Sequence, residues 1–440
     1  MHRFVKHGIF VLLVSAAALF VFISHGTGKV SAIDKNTYKN LKIFNEILNM
    51  VEKNYVEEVK QQDLIQGAIS GMMRSLDPHS TFMTADEYKD LEVETKGSFG
   101  GIGIEITIMN DVLTVVSPIE DTPAFHADVQ SGDQIIKIDN QPTKDLSIRE
   151  AVKKLRGPKD TKVTITILRE NLPKLKDITL TRSIIKIASV KSRLLDDGIA
   201  YYRIANFQEK TAEDLRRAIK ELNAKATPMN GIILDLRNNP GGLLNQAVEV
   251  ADTFLKTGVI VSTKGRSGAM NTTVSAKDDG NEPTCPIVVL VNEGSASASE
   301  IVAGALRDNG RGILLGTKTF GKGSVQTLIP LEDGAALKLT TAQYYTPSGL
   351  SIQAEGIVPD ITLKYTKPTP DNGTGDEPEA IREKDLKGHI KSEKENGVKS
   401  EDATPPQTKK EKADFVLDNQ IKAAADMLKG WNIFMKGKNN

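Results

Sequence analysis

Two largely apolar runs, Gly231-Ile232-Ile233-Leu234-Asp235-Leu236 and Ile287-Val288-Val289-Leu290-Val291, constrain the architecture of this chain more than any other feature. Neither alternates with polar residues, so each must be covered on both faces. That is the condition of a strand inside a sheet flanked by helices. Helical stretches lie between and around them, and the region from about Ala200 to Leu363 therefore reads as an α/β core. The 440 residues leave room for two or three domains.

Composition excludes several function classes. Lys+Arg and Asp+Glu both number 57, so no global field points to nucleic acid. A single cysteine, Cys285, excludes an intrachain disulfide and a cysteine zinc site. Of six histidines, His2, His7, His25 and His389 fall in targeting or tail sequence, which leaves His79 and His126 for the folded body. Neither has a ligand partner at metal spacing, and no metal or cofactor is expected.

The N-terminus reads as an export signal. Arg3 and Lys6 precede the uncharged run from Gly8 to Ser24, and residues 1–32 are expected to be a signal peptide or a membrane anchor. From about Thr37 to Ser80 the apolar spacing is helical. One stripe runs through Tyr38, Leu41, Phe44, Ile47, Leu48, Val51 and Tyr55, and a second through Leu64, Ile65, Ala68, Ile69, Met72, Met73 and Leu76. Two such helices pack on each other or on a second subunit.

Residues 97–183 look self-contained. They open with Gly100-Gly101-Ile102-Gly103-Ile104, continue through Pro123-Ala124, a Gly132-Asp133 turn and the strand Gln134–Ile138, and close with a helix near Ser147–Leu155 and a strand at Val163–Leu168. This order resembles a PDZ domain. The resemblance implies an extended peptide added as a strand, its C-terminal carboxylate held by backbone N–H groups of the glycine loop. Gly101, Ile102, Gly103 and Ile104 are then the substrate-binding residues. Asp128 departs from the family, which usually has Gly there.

Beyond the core, residues 366–412 are rich in Pro, Gly and mixed charge and read as disordered linker. Phe415, Leu417, Ile421, Ala424, Ala425 and Leu428 form one face of a final helix within residues 413–440.

Two segments carry the chemistry. Asn292-Glu293-Gly294-Ser295-Ala296-Ser297-Ala298-Ser299-Glu300 follows the second apolar strand and precedes an apolar helix. Its small residues allow a serine on a tight turn at a helix N-terminus, where negative charge on oxygen is favoured. The same pattern also suits a helix cap. Gly316-Thr317-Lys318-Thr319-Phe320-Gly321-Lys322-Gly323-Ser324-Val325-Gln326 nearly matches a phosphate-binding loop, but Gly323 stands where that loop needs a hydroxyl. A lysine between glycines can instead turn inward and act as a general base. Ser183-Ile184-Ile185-Lys186 fits S-x-x-K but sits in an alternating strand without the companion motifs.

Together these segments resemble the carboxyl-terminal processing peptidases, the tail-specific protease group of peptidase family S41. By that resemblance Ser297 is the nucleophile, Lys322 the general base and Gln326 the residue that orients it. The oxyanion is received by the N–H of Ala298 and by a glycine of Asp235-Leu236-Arg237-Asn238-Asn239-Pro240-Gly241-Gly242, with Gly241 preferred to Gly242. Arg156 is a candidate link from bound peptide to the active site.

The expected architecture is a multidomain α/β chain. A PDZ domain is inserted between N-terminal helices (residues 33–96) and a mixed α/β serine-protease core (184–365), followed by the linker and a C-terminal helix. The expected function is an exported serine endopeptidase, placed in the bacterial periplasm or cell envelope or tethered to the inner membrane. It would cleave protein substrates with free, unstructured C-termini. The helical ends are expected to mediate homo-oligomerisation or to meet a regulatory adaptor, and no nucleic acid is expected as a partner. The rival expectation is a noncatalytic PDZ scaffold on a degenerate protease core.

Overall fold

The computed structural model describes residues 35–169, 174–225, 228–266, 268–366 and 417–438, with isolated positions between 382 and 389. The expected targeting segment and nearly all of the expected linker lie outside the described residues. Among the described residues no helix is long and apolar enough to cross a membrane.

The chain divides into two compact units, residues 1–71 and 72–440. The first contains α1 (Lys35–Asn54) and most of α2 (Gln61–Arg74). The expected stripe on α1 is largely uncovered. Tyr38, Leu41, Phe44 and Ile47 are exposed, and only Leu48 is buried.

The second unit opens with β1 (Thr81–Met83) and α3 (Ala85–Lys96). Helix α3 starts at a capping box in which the Thr84 and Glu87 side chains each satisfy the other's backbone N–H. It stops at Gly97, whose φ of 66° is left-handed. The PDZ domain follows, as β2 (Ser98–Gly101), β3 (Ile104–Met109), β4 (Val112–Pro118), the short α4 (Pro123–His126), β5 (Gln134–Ile138), β6 (Gln141–Pro142), α5 (Ile148–Leu155), β7 (Lys162–Leu168) and β8 (Lys176–Thr181). Its sheet runs β3-β4-β5-β7-β8, with β6 beside β5. Ile102, Val115, Ile135, Ile165 and Ile167 form a core separate from that of the protease. Next, β9 (Ser183–Lys186) returns to pair with β2, and its alternating burial matches a plain strand.

The protease core contains β10 (Val190–Leu194), β11 (Ile199–Ile204), α6 (Thr211–Asn223), β12 (Gly231–Asp235), α7 (Leu244–Asp252), β13 (Val259–Gly265) and β14 (Thr272–Ser275). It continues with β15 (Ile287–Val291), α8 (Ala298–Asp308), β16 (Gly312–Gly316), β17 (Ser324–Pro330), β18 (Ala336–Tyr345) and β19 (Ile361–Thr362), and α9 (Asn419–Lys438) ends the described chain. The central sheet has the order β10-β11-β12-β15-β16-β19, parallel from β11 to β19.

The two apolar runs occupy adjacent central strands, and every residue of β12 and β15 is buried. Alternate side chains serve opposite faces. Ile232, Leu234, Val289 and Val291 meet the layer formed by α6, α7 and α8. Ile233, Val288 and Leu290 meet Ile421, Ala424, Ala425 and Leu428 of α9. The C-terminal helix therefore covers the sheet face that the other helices leave open. Leu417, expected on the same apolar face, is exposed. A second sheet, β1-β18-β13-β14 with β17 on β18, completes the core.

Candidate active site

Parallel neighbours bring their carboxyl ends to one edge. Asp235 of β12 pairs with Leu290 of β15, and Val291 of β15 with Gly316 of β16. The Asp235–Gly242 segment, the serine segment and the Lys322 loop therefore leave the sheet side by side. Sequence spacing cannot show this juxtaposition, because it depends on strand order.

The three serines of the motif have different environments. Ser295 Oγ donates to the Leu236 carbonyl at 2.8 Å, and Ser299 Oγ to the Asn239 carbonyl at 2.9 Å; both side chains are fully buried. These hydroxyls tie the serine turn to the neighbouring glycine turn. Ser297 alone of the three lines an open cavity of about 600 Å³, together with Ala298, Gly241, Gly242 and Gln326. Its backbone is held at φ 54°, ψ −113°, immediately before α8. A β-carbon residue in that region stores roughly 1–3 kcal/mol of strain, and the buried contacts on either side must sustain it.

Glu300 links Ser297 to the lysine loop. Its carboxylate is fully buried and accepts four hydrogen bonds: Ser297 N–H at 2.8 Å, Lys322 N–H at 3.0 Å, Gly321 N–H at 2.8 Å and Thr319 Oγ at 2.6 Å. One carboxylate oxygen thus joins the backbones of Ser297 and Lys322. Burial pushes the Glu300 carboxyl up to about 7, against the pull of its four hydrogen bonds. The sequence reading missed this residue, because a glutamate three positions after a serine also fits an ordinary helix cap.

The lysine loop is pinned throughout. Gly323 N–H donates to Gln353 Oε1 at 2.9 Å, and the Tyr344 hydroxyl donates to the Lys322 carbonyl. Gly321 and Gly323 are needed because a β-carbon at either would meet the backbone of residues 353–356 at 3.0 Å or less. Lys322 is half-buried. Gln326 lies on β17 and lines the cavity; its Nε2 donates to Ser324 Oγ at 2.9 Å.

The glycine turn lies against the serine segment. Gly241 approaches Ser297 closely enough that a β-carbon there would lie 2.8 Å from Ser297 Cβ. Its N–H donates to Asn239 Oδ1 at 2.9 Å. Among the described residues neither Gly242 N–H nor Ala298 N–H donates a hydrogen bond. Upstream, Asp235 accepts from Arg237 Nε at 2.9 Å, Arg237 Nη2 at 2.7 Å and the Tyr201 hydroxyl at 2.8 Å. Arg237 also pairs with Asp418 at 2.9 Å, which joins the base of the turn to α9. Asp235 and Arg237 thus hold the turn from behind, out of reach of a substrate.

In the PDZ domain, Gly101, Ile102, Gly103, Ile104 and Arg156 line one small groove of about 70 Å³. The Arg156 guanidinium sits 4.4 Å from the Phe99 ring centroid and 3.6 Å from Asp90 on α3. Beside and one turn beyond Asp90 on α3, Leu91, Glu94 and Thr95 line the cavity of Ser297. The Thr95 carbonyl accepts from Glu209 N–H at 3.1 Å, and nearby Phe207 N–H donates to the Gly241 carbonyl at 2.9 Å.

Comparison with known proteins matches three successive parts of the chain. The profile of an activating-protease N-terminal domain covers residues 19–87, a PDZ domain covers 90–168, and peptidase family S41 covers 198–363. A carboxy-terminal-processing protease of Bartonella bacilliformis is 49% identical over 365 residues, 82% of this chain and 83% of its own. The chain belongs to this family. The carboxy-terminal processing protease CtpA of Bacillus subtilis is 35% identical over 80% of this chain and 75% of its own, and the Synechocystis carboxyl-terminal-processing protease is 37% identical over 72% and 75%. The S41 peptidase accordingly carries N-terminal helices, a PDZ domain and a serine-type protease core, as its sequence motifs imply.

Proposed function

We propose that this S41 peptidase cleaves proteins near free, unstructured C-termini by acyl-enzyme chemistry on a Ser297–Lys322 dyad. The observation that carries the reading is the setting of Ser297. Alone of the three serines, it lies on the cavity, on a strained turn that shares a buried carboxylate with the lysine loop. Ser297 Oγ attacks the scissile carbonyl and Lys322 Nζ takes its proton. The tetrahedral oxyanion is received by Ala298 N–H and by the Gly241–Gly242 turn, from which Gly242 offers the unengaged donor. Collapse returns the proton to the departing amine, and water then releases the acyl group by the same route.

In this reading the PDZ groove takes the substrate's terminal carboxylate. Arg156, through Asp90 and α3, is the path by which an occupied groove biases the cavity. The basic-then-apolar N-terminus supports export to the periplasm or cell envelope, with or without an inner-membrane tether. The exposed stripe of α1 supports self-association, and regulation by an adaptor would use the same helical ends.

The test is cleavage of an unstructured protein with a free C-terminus, comparing purified wild type with Ser297→Ala. Turnover by wild type alone is expected. Equal turnover by both would sink the nucleophile assignment, and peptide binding without turnover by either would favour a PDZ scaffold.

A further inference from the structure

A glutamine amide has two unlike ends, and only one can serve a lysine base. Oε1 accepts a proton from the amine, whereas Nε2 presents hydrogens to it. Gln326 must therefore be held in one of two orientations that differ by a half-turn. Its neighbours decide which.

Gln326 on β17 is paired directly across from Thr340 on β18. Its Nε2 donates to Ser324 Oγ at 2.9 Å and to Thr340 Oγ1 at 3.4 Å. Oε1 accepts no hydrogen bond among the described residues. Thr340 has one hydroxyl proton, and Asp77 Oδ1 lies 3.1 Å away. An ionised carboxylate can only accept, so the proton goes to Asp77 and the Thr340 lone pairs face Gln326. Asp77 is buried, and burial raises its carboxyl. Hydrogen bonds from Ser80, His79 and Thr340 nonetheless hold it below the usual carboxylate range.

The Asp77-Pro78-His79-Ser80 turn, which the reaction does not otherwise use, fixes that carboxylate. Oδ1 accepts from His79 N–H and Ser80 N–H, each at 2.8 Å, and Oδ2 from Ser80 Oγ at 2.6 Å. Ser80 Oγ in turn accepts from Thr340 N–H at 3.0 Å and lies 3.3 Å from Thr340 Oγ1. Pairing of β1 with β18 holds the turn against the strand.

We propose that Thr340, polarised by Asp77, is a positioning residue that locks the Gln326 amide with Oε1 presented to the general base. The proposal rests on the reading that Gln326 orients Lys322. Without a one-way relay the Thr340 hydroxyl could donate as easily as accept, and the amide could sit either way round.

Thr340→Val removes the hydroxyl while keeping a β-branched residue on the strand. The expected result is a fall of about tenfold in kcat with KM within about twofold, and a shift in the pH profile of kcat/KM. Thr340→Ser should restore most of the activity. In a Gln326→Ala background, Thr340→Val should change kcat by less than about twofold, because no amide remains to orient. An unchanged Thr340→Val beside an impaired Gln326→Ala would overturn the role of Thr340. So would an equal loss in both backgrounds, accompanied by a lower thermal midpoint, which would mark Thr340 as structural only. Full activity of Gln326→Ala would overturn the underlying reading of Gln326, and this proposal with it.

Discussion

The glycine loop of the PDZ groove and the Gly241–Gly242 turn both place backbone close to a neighbouring surface, but they are braced differently. In the groove, Gly103 has a φ of 78°, and its carbonyl accepts from Thr122 Oγ1 at 3.1 Å. Glycine's own freedom is enough for that bend. In the other turn Gly241 and Gly242 have φ values of 104° and 141°, and the facing Ser297 is itself strained at 54°. That turn is held from outside by Asn239, by the Ser295 and Ser299 hydroxyls and by the buried Asp235–Arg237 pair. A groove that binds a peptide tolerates local compliance. A site that must meet a transition state needs bracing from distant parts of the chain.

Paired glycine substitutions should show this contrast most strongly. Gly241→Ala places a β-carbon against Ser297, and kcat should fall by about 10² or more in steady-state cleavage. Gly103→Ala places one 2.3 Å from Thr122 Cβ, and it should weaken binding of a C-terminal peptide and raise KM while sparing kcat at saturation. If Gly103→Ala lowered kcat as far as Gly241→Ala, the groove would be part of the catalytic brace.

Replacing the brace at its centre should have the next effect. Glu300→Gln puts an amide that can donate where four donors converge, and a loss of about tenfold to a hundredfold in kcat is expected. The pH behaviour follows from the raised carboxyl. Between its ordinary 4.5 and about 7, the folded protein holds a proton that the unfolded chain has released. This contribution to stability is therefore full below about 4.5 and is lost as pH rises through about 7. Urea unfolding at pH 5.5 and pH 8 should show the loss in wild type, and Glu300→Gln should remove that component.

The smallest effect should come from Asp128, where the PDZ pattern calls for glycine. The structure gives the reason for that preference, since Asp128 has a φ of 59°. Its carboxylate compensates by accepting from Gln130 at 2.9 Å and pairing with Arg169 at 3.4 Å, both on the surface. Asp128→Gly exchanges backbone strain for these exposed bonds, so thermal stability should change by no more than about 1 kcal/mol with peptide binding intact.

Regions whose chemistry is local were legible in the sequence. The burial of Ile232–Leu234 and Ile287–Val291 followed from unbroken apolar runs, and the PDZ order from its glycine loop and turn. Ser297, Lys322 and Gln326 were picked out by the resemblance of their two segments to the processing peptidases, because the local patterns alone also suit a helix cap or a loop. Glu300, Asn239 and Thr340 did not stand out, because each resembles a common cap or strand residue until its partner is known. The Gly241 N–H could not be judged from sequence at all, since its acceptor is a side chain turned back by the fold.

By itself the sequence determined the strands that must be buried, the order of the domains and the family to which its serine and lysine segments point. Periodicity and backbone freedom are properties of neighbouring residues, and they can be read along the chain. Only the tertiary structure decided which of three serines faces the cavity, which glycine N–H is open and which residues hold the serine and lysine loops in place. Those outcomes depend on parallel strands placing three loops at one edge, and on hydrogen bonds between residues tens to hundreds of positions apart. Their direction is set by the single proton or lone pair that each partner has left to give.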